Sequence, residues 1–229
     1  MPVEHTFAYG PVVALAALPR RDARSREHLD NAARHARPVV LAGERVLAVP
    51  GPLGELLPGG GVQRGTVVAV DGDPGAGATS VALQLAAAAT AAGEWAAAIE
   101  LDASLGGLAA GEAGVALERF AVVRRVSPAR WAAVAAALLD GISVVLAEVP
   151  AYARVGDTRR LLARARERGA VLVAMGPWPA EAALRLRAEG SVWSDVDPGV
   201  GVLAERDQRV HVDGRGAAAR DHVALVEAG

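Results

Sequence analysis

Nine consecutive residues hold the most readable chemistry in this chain: Gly72-Asp73-Pro74-Gly75-Ala76-Gly77-Ala78-Thr79-Ser80. Their spacing follows the phosphate-binding pattern G-x-x-x-x-G-K-[ST], except that Ala78 stands where the lysine belongs. An apolar run, Thr66–Asp71, precedes them, and a helical pattern, Ala78–Ala92, follows. That placement suits an anion, because backbone N–H groups and the first turn of a helix then converge on one point. The lysine of a working loop bridges the β- and γ-phosphates and offsets their charge, more so in the transition state. Alanine supplies neither charge nor donors. No other lysine can stand in, because all 24 basic residues are arginine. Arg124, Arg125 or an arginine of a neighbouring subunit could reach in, but nothing in the sequence directs one there. Thr79 keeps a hydroxyl able to ligate Mg²⁺, and Asp73 is compatible with a functional loop. The alternative is that Gly72–Gly77 is only a tight, glycine-rich strand-to-helix turn.

Other chemically able residues are scattered. His5, His28, His35, His211 and His222 show no metal-ligand spacing, and without cysteine there are neither disulfides nor thiolate sites. A reducing cytoplasm is the expected home. Arg160, Arg164 and Arg168 recur at helical spacing, with Arg159 and Arg166 nearby. They read either as a stripe for nucleic-acid phosphates or as a solvated face whose cations complement a helix C-terminus, and the second reading is preferred. Trp95, Trp131 and Trp193 are expected to pack in the core or in grooves. Trp178, flanked by Pro177 and Pro179, is the best candidate for an exposed anchor on a partner. Glu148, at the end of an apolar run, could hold a water near a cation or simply face solvent.

The elements that must position these residues follow from hydrophobic periodicity. The formal net charge of -2 excludes a global basic field. No apolar stretch is long enough to span a membrane, and the N-terminus has no basic region before Val12–Leu18, so no signal peptide is expected. Residues 1–52 form a lead segment with a short polar helix at Ser25–His35 and a strand at Arg45–Val49; Leu53–Leu57 is a small apolar turn. Residues 53–200 alternate: strands at Thr66–Asp71, Ala96–Leu101, Phe120–Val123, Val144–Ala147 and Val171–Met175. Helices are expected at Ala78–Ala92, from Ser127-Pro128 to Leu139, and at Asp157–Arg168 closed by Gly169. Such alternation means a mostly parallel sheet flanked by helices, and the unbroken apolar strands agree, being buried on both faces. Residues 201–229 are a C-terminal β extension and tail: a hairpin of Val202–Arg206 with Arg209–Asp213, then a short strand at His222–Val226. The whole is expected to be one compact domain.

The order of elements resembles the RecA-like superfamily. Leu56-Leu57-Pro58-Gly59-Gly60-Gly61-Val62-Gln63-Arg64-Gly65 followed by Val67-Val68-Ala69-Val70 resembles the approach to the RecA P-loop. Ala97–Leu105, with Glu100 and Asp102, is similar to the strand bearing the catalytic carboxylate. Val144-Val145-Leu146-Ala147-Glu148 is similar to the Walker B strand. Within the superfamily the chain looks like the ImuA group, most of all its actinobacterial ImuA-prime form, on the alanine-rich helix, Leu138-Leu139-Asp140-Gly141, Arg168–Val173, Leu184-Arg185-Leu186-Arg187 and Gly214–Arg220. The resemblance implies a RecA-like P-loop fold and a role in DNA-damage-induced mutagenesis. The implied partners are ImuB, an inactive relative of Y-family polymerases, and through it an error-prone C-family polymerase.

Departures from the RecA pattern imply a pseudo-enzyme. Ala78 replaces the lysine, Asp102 stands for a glutamate, Glu148 for the Walker B aspartate, and Gly176-Pro177 where a sensor glutamine belongs. The second DNA-binding loop shrinks to a few residues around Trp178. The expectation is therefore an adaptor without cofactor, with residual ATP/Mg binding at most and weak or no direct DNA binding. The alternative is a weak RecA-type ATPase or nucleotide-switched DNA-binding protein. With the ligand loop degraded, partner contacts are expected at Trp178 and on the tail, at Arg215, Val223, Leu225 and Val226. The tail's competing role is to complete the chain's own sheet.

Overall fold

The computed structural model describes residues 45–102, 104–194, 205–214 and 220–227. Five apolar runs form strands: β3 (Val67–Gly72), β4 (Ala96–Ile99), β5 (Phe120–Val123), β6 (Val144–Glu148) and β7 (Val171–Met175). They lie side by side in the order β3-β7-β6-β4-β5, all parallel. A small antiparallel pair, β1 (Val46–Ala48) and β2 (Gly61–Gln63), precedes them. On the other side of β3 the sheet continues through β8 (Leu184–Ser194), β9 (Glu205–Gly214) and β10 (Arg220–Glu227). β8 runs parallel to β3, and the β8–β9 and β9–β10 pairings are antiparallel, giving one mostly parallel eight-stranded sheet.

Helices cover both faces: α1 (Gly51–Leu56), α2 (Ala78–Ala91), α3 (Gly107–Glu112), α4 (Trp131–Leu139) and α5 (Val155–Arg168). Successive residues of each central strand point to opposite faces, so each strand feeds two cores. Val68, Val70, Leu146 and Val173 join Leu83 and Leu85 of α2 in one. Val67, Ala69, Val145 and Leu172 join Trp131 of α4 and Leu161 of α5 in the other. Each fully buried Leu or Val contributes about 1.5–3 kcal/mol, which is why these strands read as continuous apolar runs.

Several elements differ from the sequence reading. The apolar turn at Leu53–Leu57 is the helix α1, entered through Pro52 in its first turn. α3 escaped notice because Gly107 and Gly111 weaken the helical signal. The helix expected from Ser127 begins at Trp131. The Ser127 carbonyl accepts the N–H groups of Arg130 and Trp131 at 2.9 and 3.1 Å, and a turn carries the chain into the helix without a side-chain cap. The turn expected between Val202–Arg206 and Arg209–Asp213 does not form, since Glu205–Gly214 is one strand; residues 202–204 lie outside the described residues. β9 runs straight through Asp207-Gln208, because β8 and β10 flank it on either side. The expected lead helix Ser25–His35, with His28, lies outside the described residues.

Candidate functional site

The carboxyl ends of β3, β4, β6 and β7 meet at a cavity of about 250 Å³. The loop after β3 and the first turn of α2 form one wall, through Gly72, Ala78 and Thr79. Asp71, Glu100, Ser104, Glu148 and Gly176 add to its polar lining, over an apolar floor that includes Val70 and Leu146. A larger cavity, about 650 Å³, opens near the amino end of β3, between β2 and α5. It touches neither the glycine loop nor these carboxylates.

The loop's glycines have local reasons to be glycine. A Cβ on Gly72 would meet the Ala188 carbonyl oxygen of β8 at 2.6 Å. Gly77, at the start of α2, has φ +93, a conformation costly for any residue with a Cβ. Asp73, Pro74 and Gly75 are exposed while Ala76 is buried. The Ala76 N–H donates back to the Asp73 carbonyl at 2.9 Å. The Ala76 carbonyl in turn accepts the Gln208 side-chain amide at 2.9 Å. Gln208 is fully buried, so the antiparallel wing holds the loop from behind. Ser80 lies in the first turn of α2.

The carboxylates are engaged in holding backbone. Glu148 Oε2 accepts the Leu101 N–H at 2.7 Å, and Glu100 Oε1 accepts the Leu105 N–H. Together they fasten the segment leaving β4 across the mouth of the cleft. Glu100 Oε2 faces the Arg124 Nε at 3.4 Å, and Arg124 also donates to the Leu105 carbonyl at 3.1 Å. Arg187 of β8 stands 3.6 Å from Asp71 and 3.9 Å from Asp73. Arg124 and Arg187 are thus paired with carboxylates of this chain, and neither lines the cavity. Arg125, the other arginine considered as a stand-in, is exposed, outside the cavity, and the only non-glycine residue with positive φ among the described residues.

Other candidates fall elsewhere. Asp102 is exposed and outside the cavity; the carboxylate that β4 delivers is Glu100, only 4% exposed. Trp178 is buried at 4% exposure, its indole N–H donating to the Glu181 carbonyl at 3.2 Å, so it is not the exposed anchor expected from its prolines. Trp131 is buried and Trp95 half-exposed. Val223, Leu225 and Val226 lie on β10, the outer strand of the chain's own sheet, in register with Arg209, Asp207 and Arg206 of β9. Arg215 lies outside the described residues. Arg164 and Arg168 of the arginine stripe both bind Asp140, at 2.5 and 3.2 Å. Hydrogen bonding from Arg164 lowers the Asp140 pKa, and the same bond raises that of Arg164. Two arginines of the stripe therefore tie α5 to the end of α4.

Asp71 and Gln208 are site residues that the sequence analysis does not single out. Asp71 had a signal, the one that marked Glu148: a carboxylate closing an apolar strand run. Gln208 had none, since 132 positions separate it from the loop it holds.

Sheet and cleft define the class: an α/β protein with a mostly parallel, helix-flanked sheet and a strand–loop–helix cleft at its carboxyl end, consistent with a Rossmann- or RecA-like architecture. Residues 55–180 match the family model of the MT3502 N-terminal domain, more than half of the chain. The chain belongs to that family. No curated protein matches it significantly. Among the described residues no helix is long and apolar enough to cross a membrane.

Proposed function

We propose that this chain is a non-catalytic, RecA-like accessory protein of the ImuA group, acting by protein–protein binding in mutagenic translesion DNA synthesis. Its proposed partner is ImuB, and through ImuB the error-prone C-family polymerase. The observation that carries the non-catalytic reading is the redeployment of the cleft carboxylates. Glu148 and Glu100, both lining the cleft, accept the backbone amides of Leu101 and Leu105. A triphosphate in this cleft would face three carboxylates and Ala78, with Arg124 and Arg187 already paired. Bringing such charges together in a partly desolvated site is unfavourable without a compensating cation. The residues present do not fit ATP. The choice of ImuA group and partner rests on sequence resemblance.

The alternative, a weak RecA-type ATPase or nucleotide-switched DNA-binding protein, draws on Thr79, whose position in the first turn of α2 still borders the cavity. Two measurements on the purified chain separate the readings. Steady-state phosphate release should stay at background with and without single-stranded DNA, and tagged ImuB should retain the chain equally with and without MgATP. Turnover that disappears in Thr79→Ala, or retention that needs nucleotide, would favour the alternative.

A further inference from the structure

The larger cavity, about 650 Å³, lies beyond the amino end of β3. Backbone hydrogen bonds hold its walls: the Arg64 N–H donates to the Arg45 carbonyl at 2.7 Å, Gly65 to Ala170 at 3.1 Å, and Ala183 to Val67 at 2.8 Å. They join the β1–β2 pair, the turn after α5 and the approach to β8. Gly65, at φ +75, lets α5 come close, since a Cβ there would meet the Arg166 Cα at 3.3 Å. Val46, Pro58 and Leu162 make the lining partly apolar. Among the described residues its charged lining is three arginines, Arg45, Arg64 and Arg166, against one carboxylate, Glu181. Arg64 is paired with Glu94. Arg45 and Arg166 are exposed and have neither an ion pair nor a side-chain hydrogen bond among the described residues. Two unpaired guanidinium groups thus share one concave surface, in a chain whose formal net charge is -2.

We infer that this cavity is the docking site for an acidic segment of a protein partner, a carboxylate side chain flanked by apolar ones. The inference rests on the adaptor reading, which needs a partner surface: Trp178 is buried, and β10 completes the chain's own sheet. The planar fork of a guanidinium matches a carboxylate through two parallel hydrogen bonds, and arginine is among the commonest anchors of protein interfaces. An apolar wall beside such a pair takes up the flanking side chains and keeps water away, which strengthens the attraction. A nucleic-acid backbone would use the arginines and leave that wall uncovered. A small ligand would be largely enclosed by its site, whereas Arg45 and Arg166 stand open to solvent. The arginines of α5 then divide by face: Arg164 and Arg168 bind Asp140, and Arg166 lines the cavity.

The test compares two double variants of the full chain. Arg45→Glu/Arg166→Glu reverses the charge of the cavity. Arg130→Glu/Arg154→Glu makes the same change in net charge outside it, at the opposite, carboxyl end of the sheet. All four arginines are exposed, and none has a side-chain partner among the described residues, so thermal melts should match wild type. Tagged ImuB should hold the cavity variant at least about tenfold more weakly than wild type and the control variant equally well. Arg166→Ala, a milder change, should weaken retention in the same direction and decides the matter if the double variant melts early. Equal retention of the cavity variant, or equal loss in both double variants, overturns the inference and leaves the adaptor reading standing. Single-stranded DNA binding that the cavity variant abolishes, with ImuB retention unchanged, overturns it in favour of nucleic acid. No retention of the wild type overturns both.

Discussion

In the parallel half of the sheet both faces of every inner strand are covered, whereas in the antiparallel wing buried and exposed side chains alternate. Val144, Val145, Leu146 and Ala147 are all buried. In β8, Leu184, Leu186 and Ala188 are buried while Arg187 and Glu189 are exposed; in β9, Val210 and Val212 are buried while Arg209 and Asp213 are exposed. The difference teaches where function can reside. The parallel half is committed to its two cores except at its carboxyl ends, where the cleft forms. The wing keeps a polar face and sends one buried polar residue, Gln208, back to the loop.

The largest expected effects come from the cores. Val145→Ala and Leu146→Ala should each lower stability in urea melts by about 2–4 kcal/mol although they are sequence neighbours, because both faces are packed. In the wing, Val210→Ala should cost about 2 kcal/mol while its neighbour Arg209→Ala stays within about 0.5 kcal/mol. Equal costs at 209 and 210 would break the contrast.

Next in size is the link between the two regions. Gln208→Ala leaves the Ala76 carbonyl without its donor, at a cost of about 1–3 kcal/mol. Hydrogen exchange should quicken at Ala76 and Gly77 while β6 amides stay protected. Unchanged exchange in the loop would mean that the wing does not hold it.

The smallest effect sharpens the contrast within the parallel half. Away from the cleft, at the amino end of β4, Arg64 grips Glu94 through two hydrogen bonds of 2.5 and 3.0 Å. Burial pushes the Glu94 pKa up, but hydrogen bonds from Arg64 and Ser143 outweigh it, and the net shift is downward from 4.5. The pair's stability is therefore present above the unfolded-state pKa and is lost as pH falls through the lower folded value. In Arg64→Met the desolvation remains and the main partner is gone, so Glu94 should titrate higher by carboxyl NMR. A lower or unchanged value would contradict the pairing.

Sequence alone located the parallel half closely, since buried apolar runs such as Val171–Met175 have few alternatives. It misread the wing. Leu184–Ser194 alternates leucine with arginine and has no apolar run, and Asp207-Gln208 has the composition of a turn until its neighbours on both sides are known. At the site, the loop and Glu148 were legible, because a strand-to-helix glycine loop and a strand-ending carboxylate are local patterns. The choice between Glu100 and Asp102 was not. It depends on where β4 ends and which carboxylate turns inward, to accept the Leu105 N–H as Glu100 does. Trp178 misled because flanking prolines mark a loop without saying whether its side chain folds back.

The most direct measurement is isothermal titration of MgATP into the wild-type chain and into Ala78→Lys. The expected result is no saturable heat for wild type at millimolar nucleotide and at most weak binding for Ala78→Lys, since Glu100 and Glu148 still hold Leu105 and Leu101. Saturable wild-type binding that Thr79→Ala abolishes would contradict the claim that the cleft has left nucleotide chemistry.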